Sequence, residues 1–224
     1  MVLHTNEPVP RNPAYAWRPY SPPVLRRELL ALPISEPKRA FSEVLYARRS
    51  RLMGAVSWDQ VAELLWHAVG TKAMAKSGRA GIPIEWRVCP SAGGLHPIHI
   101  ICIPQTATEG IRLYDPNSHA FDFLAVSENK VIETQNEFLM SVIGSVTGCT
   151  LLFVADVKKI DAAYEHGMTL TWRNAGAIIS TLCLCAEWLG LGACPLGFNG
   201  DRILAELPYP LERFTGMGGV FITS

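Results

Sequence analysis

Residues 174–190 are apolar on nearly every side of a helix, and this stretch dictates much of what the rest of the chain must do. A helix with one apolar stripe can lie on a surface, whereas one that is apolar all round has to be covered by other elements. Extended to residue 196, the run approaches the length of a membrane span. Glu187 and several glycines interrupt it, so the reading is a helix buried in a core, and no membrane partner is expected. Covering such a helix takes a large apolar inventory. Of 224 residues, 49% are hydrophobic and 18% charged, enough to bury about 70% of the surface an unfolded chain exposes.

The other periodic segments supply the cover. Phe41, Val44 and Leu45 fall at helical spacing over 37–48. Ser57 with Gln60 is a capping box, followed by Val61, Leu64, Leu65 and Ala68 on one face until Gly70. A third helix is expected over 129–143. Strands are expected over 84–89, 98–103, 111–114 and 121–124, the last two joined at Asp115-Pro116-Asn117-Ser118. Residues 150–155 form a continuous apolar run of strand length, the mark of a central strand covered on both faces. Asn199-Gly200 reads as a turn, Asp201 as the cap of a short helix, and 218–223 as a last strand. Residues 71–83 read as a mobile loop. The economical organisation is one α+β domain over 38–224 behind a proline-rich arm over 1–37, which is either extended along the body or a partner, or loosely ordered.

Charge and cysteine usage narrow the function. Twenty basic and 20 acidic residues balance, and a nucleic-acid binder would show a basic excess, so no nucleic-acid partner is expected. The six cysteines show neither a C-x-x-C pair nor zinc spacing, so no metal site is expected. They read as reduced thiols in a cytoplasmic protein, and the first residues lack the order of a secretory signal.

Three segments exceed simple core-building. Arg48-Arg49-Ser50-Arg51 at a helix end could grip a phosphate through charge-assisted hydrogen bonds, or could simply be cations well placed at a helix C-terminus. Pro90, Ser91, Ala92, Gly93 and Gly94 follow a strand; adjacent glycines let backbone N–H groups approach a flat or anionic ligand, or make a plain turn. The segment is neither a P-loop nor a dinucleotide-binding fingerprint. Gly190-Leu191-Gly192-Ala193-Cys194-Pro195-Leu196-Gly197 could lie along a ring system, or serve as a helix cap and turn.

In this order, with Ala-Glu-x-Leu-Gly-Leu-Gly-x-Cys-Pro-x-Gly closing the long helix, the segments resemble the flavin-dependent nitroreductase superfamily over about 41–222. The match is closest to the SagB-type dehydrogenases, which include the McbC-like azoline oxidases; Pro-Ser-Ala-Gly-Gly-Leu-His-Pro is its most specific part. The resemblance implies an α+β, nitroreductase-like fold with a mixed sheet between helices, and a homodimer with FMN at the subunit interface. Arg48, Arg49 and Ser50 would hold the phosphate and ribityl chain. Pro90, Ser91, Ala92, Gly93 and Gly94 would run beside the isoalloxazine, and Pro195, Leu196 and Gly197 would line its N5 edge.

The implied activity is oxidation of an azoline or related heterocycle in a small-molecule or peptide substrate, with a biosynthetic partner protein as a further expectation. An NAD(P)H-dependent nitro or quinone reductase and a flavin-free scaffold subunit are the alternatives. The sequence departs from the pattern in three places. Leu52 stands where a second basic residue is usual, and the C-terminal segment lacks the basic residue many relatives carry; Arg51 or a residue of 71–83 is the expected replacement. Peptide-oxidising relatives carry a Lys-Tyr pair before the long helix, where this chain has Ala163-Tyr164-Glu165-His166, leaving Tyr164 or His166 as the candidate base.

Overall fold

Every residue of the segment Cys149–Asp156 is buried. The computed structural model, which describes residues 6–224, shows how both of its faces are covered. Among the described residues the elements are β1 (Val9–Pro10), β2 (Val24–Leu29), α1 (Phe41–Ala47), α2 (Trp58–Val69), β3 (Ala73–Ala75), β4 (Ile84–Trp86), β5 (Ile98–Pro104), β6 (Arg112–Asp115), β7 (Ala120–Leu124), α3 (Glu128–Val142), β8 (Cys149–Asp156), α4 (Val157–Ala163), β9 (Tyr164–Glu165), α5 (Met168–Leu189), β10 (Gly192–Leu196), α6 (Asp201–Leu204) and β11 (Phe214–Thr223). Seven strands form one sheet in the order β10-β11-β8-β5-β6-β7-β2. Its ladders are antiparallel. A parallel bridge between Ser50 and Ala193 at one edge adds the mixed character.

Side chains alternate across a strand, so β5 and β8 feed two cores. Ile98, Ile100, Leu151 and Phe153 pack with α2 and α5. Ile101, Ile103, Leu152 and Val154 pack with α3 and α6 on the opposite face. Each fully buried side chain of this size contributes about 1.5–3 kcal/mol, and strands buried on both sides show no polar alternation.

The capping box forms as read: Ser57 Oγ accepts from Gln60 N, and Gln60 Oε1 accepts from Ser57 N. Four expectations need correcting. Helix α5 begins at Met168, six residues before the expected start, because Thr171 and Asn174 are buried among apolar neighbours. The segment 71–83 is not a plain loop: Ala73–Ala75 pairs with Ile84–Trp86, and Thr71 N donates to Pro116 O. Gly200, not Asp201, occupies the cap position of α6. Asp201 instead accepts from Gly216 N at 2.8 Å and Asn199 Nδ2 at 2.6 Å, tying the turn to β11. The segment after Gly190 is strand β10, so it is more than a cap and a turn.

The proline-rich stretch begins outside the described residues. From Asn6 on it runs along the body, with Arg11 N on Ala163 O, Tyr15 N on Ala162 O and Trp17 Nε1 on Asp156 Oδ2. Residues 24–29 then add an edge strand to the main sheet, where Arg27 meets Asp122 with two 2.7 Å hydrogen bonds.

Candidate active site

The residues singled out in the sequence gather in two groups near opposite ends of α5. At the C-terminal end, Arg48 caps α1 and the chain passes along β10, where Ser50 bridges Ala193. Gly192 permits this approach, since a Cβ there would stand 2.8 Å from the Arg51 carbonyl oxygen. Arg48, Arg49 and Ser50 thereby share one sheet edge with Pro195, Leu196 and Gly197. Arg49, Ser50, Pro195 and Gly197 are exposed, while Leu196 is buried with Leu139 and Phe221. Burial raises the Cys183 thiol above its ordinary pKa, and the neighbouring Arg48 charge offsets part of that rise.

Among the described residues neither Arg48 nor Arg49 forms an ion pair, which leaves both cations uncommitted. Arg51 is committed. It pairs with Glu187 Oε2, while Arg39 Nη2 sits 3.1 Å from Oε1 and Arg39 Nη1 donates to the Glu187 carbonyl. Burying a carboxylate without such partners would be costly. Arg51 therefore does not replace the missing basic residue. Lys72, from the other suggested source, donates to Trp66 O at 2.9 Å and lies over the Trp66 ring. Leu52 is exposed.

At the N-terminal end of α5, Ala92–Gly94 forms a 3₁₀ turn after the exposed Pro90. Gly93 has φ 59°, in the left-handed region that side chains disfavour, and a Cβ on it would stand 3.1 Å from the Tyr164 phenol oxygen. Ser91 Oγ accepts from His96 N at 2.9 Å, and Asn174 Oδ1 of α5 accepts from Ala92 N at 3.2 Å. The other atom of that amide, Nδ2, is buried without a partner. Tyr164 thus lies against the glycine turn. His166, two residues on, is exposed and faces Asn6 Nδ2 at 3.3 Å.

His96 is buried, with Nε2 3.0 Å from Glu85 O; burial first, and then the Arg87 charge, push its pKa down to about 4. The imidazole is neutral near pH 7. Asn174 carried a faint signal, an amide beside Arg173 in a mostly apolar helix. Glu85, Arg87 and Lys159 gave none, because only the fold brings them together.

The two groups are far apart within one copy. The Ser50–Ala193 bridge is level with Ile222 and Cys149, whereas the glycine turn enters β5 beside Ala155. From Cys149 to Ala155, β8 covers roughly 20 Å, with three strand spacings between β10 and β5.

Residues 53–215 match the family model described as the nitroreductase family. Among solved structures, one from Ralstonia eutropha JMP134 described as a nitroreductase aligns at TM-score 0.66 and 20% identity, covering 94% of this chain and 97% of that one. The Escherichia coli microcin synthetase McbBCD complex, with truncated pro-MccB17 bound, aligns at 0.61 and 17%, covering 88% and 77%. A Desulfovibrio desulfuricans nitroreductase-type structure in complex with FMN aligns at 0.51 and 16%, covering 83% and 86%. At these identities the likeness establishes the fold. No curated protein matches the sequence. Among the described residues no helix is long and apolar enough to cross a membrane.

Proposed function

Since the chain belongs to the nitroreductase family, we propose that it is an FMN-dependent oxidoreductase acting as a homodimer. Each flavin would lie between the Arg48 edge of one protomer and the Ser91–Gly94 turn of the other. The observation that carries this reading is the pair of uncommitted arginines held beside Ser50 and β10, next to an Arg51 that is paired with Glu187. FMN, when bound, supplies the redox step. Arg48, Arg49 and the Ser50 hydroxyl would hold its anionic tail. The Ser91–Gly94 turn would bring main-chain groups close to a flat ring, and the unpartnered Asn174 Nδ2 behind it fits a site that is completed by a further group. The Tyr164 hydroxyl, which lies beside that turn, would give or take a proton.

A second copy is required because the two half-sites are remote within one chain. Apolar side chains left uncovered near both support one: Tyr46 of α1 is 86% exposed and Trp172 of α5 is 50% exposed. The uncovered face of α5 also accounts for a helix apolar all round that only half buries itself.

The substrate class proposed is an azoline-type heterocycle in a modified peptide. The Pro-Ser-Ala-Gly-Gly-Leu-His-Pro segment supports it, as does the fold shared with the microcin synthetase structure and its bound precursor. A biosynthetic partner protein is part of that proposal. Ala163, buried where peptide-oxidising relatives carry lysine, favours the alternative of an NAD(P)H-dependent reductase.

The purified protein is expected to be yellow. Arg48→Ala and Arg49→Ala should each weaken FMN binding about 10–100-fold and shift folding stability by no more than ~0.5 kcal/mol. Colourless protein that takes up no FMN on titration would leave only the scaffold reading. Anaerobic bleaching by NADPH, without oxidation of a thiazoline peptide in air, would select the reductase.

A further inference from the structure

The glycine turn has a second side. Past it, from His96 on, a cavity of about 540 Å³ lies between α4, the β3–β4 hairpin, the β6–β7 turn and the N-terminal arm, within the ~300–1,000 Å³ range of small-ligand sites. Two features of its wall are chemically specific.

The first is charge. Glu85, Arg87 and Lys159 all line the cavity and are nearly buried. Glu85 Oε2 accepts from Arg87 and from Thr71 Oγ1. Lys159 is held only by long contacts among the described residues: 3.8 Å to Glu85 Oε1, 3.4 Å to His96 O and 4.9 Å to the Trp17 ring centre. One carboxylate therefore serves two cations. Of the other acids nearby, Asp156 pairs with Arg213, while Asp115 and Asp122 share the single Arg27. His96 and His99, with pKa values pushed by burial to about 4, are neutral and do not alter the balance near pH 7. At this corner of the wall two cations share one carboxylate.

The second is an open strand edge. Asp156 N donates to Pro97 O, so residues 97, 99 and 101 direct their backbone groups toward β8, and Ile98 and Ile100 direct theirs toward β6. Registered pairing with β6 stops at Ile101–Leu113. Pro116, which the register would set opposite Ile98, has no N–H and gives its carbonyl to Thr71 N at 2.9 Å. The N–H and C=O of Ile98 thus face the cavity without a strand partner. Only Pro97 separates Ile98 from His96, whose carbonyl Lys159 contacts.

We propose that this cavity binds a short peptide or N-acylated amino acid by its free α-carboxylate. The carboxylate meets Lys159 and Arg87, and the adjoining amide pairs with Ile98 as an added strand would. This inference is independent of the flavin reading.

The test is calorimetric titration of the full-length protein, FMN-loaded and FMN-free, with N-acetyl-alanyl-alanine and with its C-terminal carboxamide. The acid should bind saturably, with or without FMN, and the carboxamide at least about tenfold more weakly. Lys159→Met should lower the affinity for the acid by about tenfold or more. Val24→Trp, at an exposed cavity-lining residue remote from the ion cluster, should lower it too and settles the matter if Lys159→Met fails to fold. No saturable binding up to ~10 mM, equal affinity for acid and carboxamide, or unchanged binding in the folded variants would overturn the proposal.

Discussion

Two buried carboxylates near opposite ends of α5 have been given different tasks by their surroundings. Both are flanked by two cations. Glu187 divides its oxygens between Arg39 and Arg51, and its carbonyl takes a further guanidinium hydrogen bond. Glu85 gathers Arg87 and Thr71 on one oxygen and leaves the other with a 3.8 Å contact to Lys159 beside a cavity. The first cluster pairs both carboxylate oxygens and fastens the segments around α1 to the long helix. The second keeps a cation in reserve. Residue type does not separate a staple from a receptor wall; what separates them is whether each carboxylate oxygen holds a close cation of its own.

The sharpest way to break this comparison is Glu187→Ala. It should destabilise the fold by about 3–5 kcal/mol, because two partly buried guanidiniums lose their shared partner. Urea denaturation at pH 7 checks it, and a loss under ~1 kcal/mol would mean that the cluster behaves as an exposed ion pair. The open end is predicted to respond to acid. The folded pKa of His96 is about 4 against an ordinary 6.5, so below pH 6.5 the unfolded chain takes up a proton before the folded one does. Stability from neutral His96 is fully present above about pH 6.5 and is lost as pH falls toward 4, on the order of 1 kcal/mol per pH unit. Burial alone would raise the Glu85 carboxyl, but Arg87, Lys159 and Thr71 more than offset it and hold the pKa below 4.5. Its contribution is therefore lost only at lower pH, as acid passes through that depressed value. Denaturation at pH 7 and pH 5 should show a shallower pH slope in His96→Gln than in the parent; equal slopes would remove His96 from the account.

What could be read from the sequence followed the range of each interaction. The Ser57–Gln60 box spans three residues and formed as expected. The apolar run ending at Ala155 declared its own burial, since two covered faces need no polar alternation. Residues 24–29 gave no strand signal because the strand is exposed along its length and draws its register from Asp122, 95 positions away. The commitment of Arg51 to Glu187, across 136 positions, was likewise invisible, so a cation that looked available for phosphate is not. The three segments proposed to hold flavin were legible one by one. Their division between two ends of a helix was not, since spacing along a chain carries no information about where the fold carries each segment.

The smallest expected effect bears on the glycine turn of the proposed flavin site. Gly93→Ala should cost about 1–2 kcal/mol, because a side chain at φ 59° is strained wherever it points. A Cβ there would also press on the Tyr164 hydroxyl at 3.1 Å, so two causes are mixed in one number. A double-mutant cycle with Tyr164→Phe separates them. If backbone strain dominates, the cost of Gly93→Ala is the same in both backgrounds. If contact with the hydroxyl dominates, the cost falls by at least ~0.5 kcal/mol when the oxygen is removed. The second result would mean that the turn is shaped to seat that oxygen, as a proton-handling Tyr164 requires. The first would leave Gly93 as a bend that any well-placed neighbour could tolerate, and the case for Tyr164 would then rest on chemistry alone.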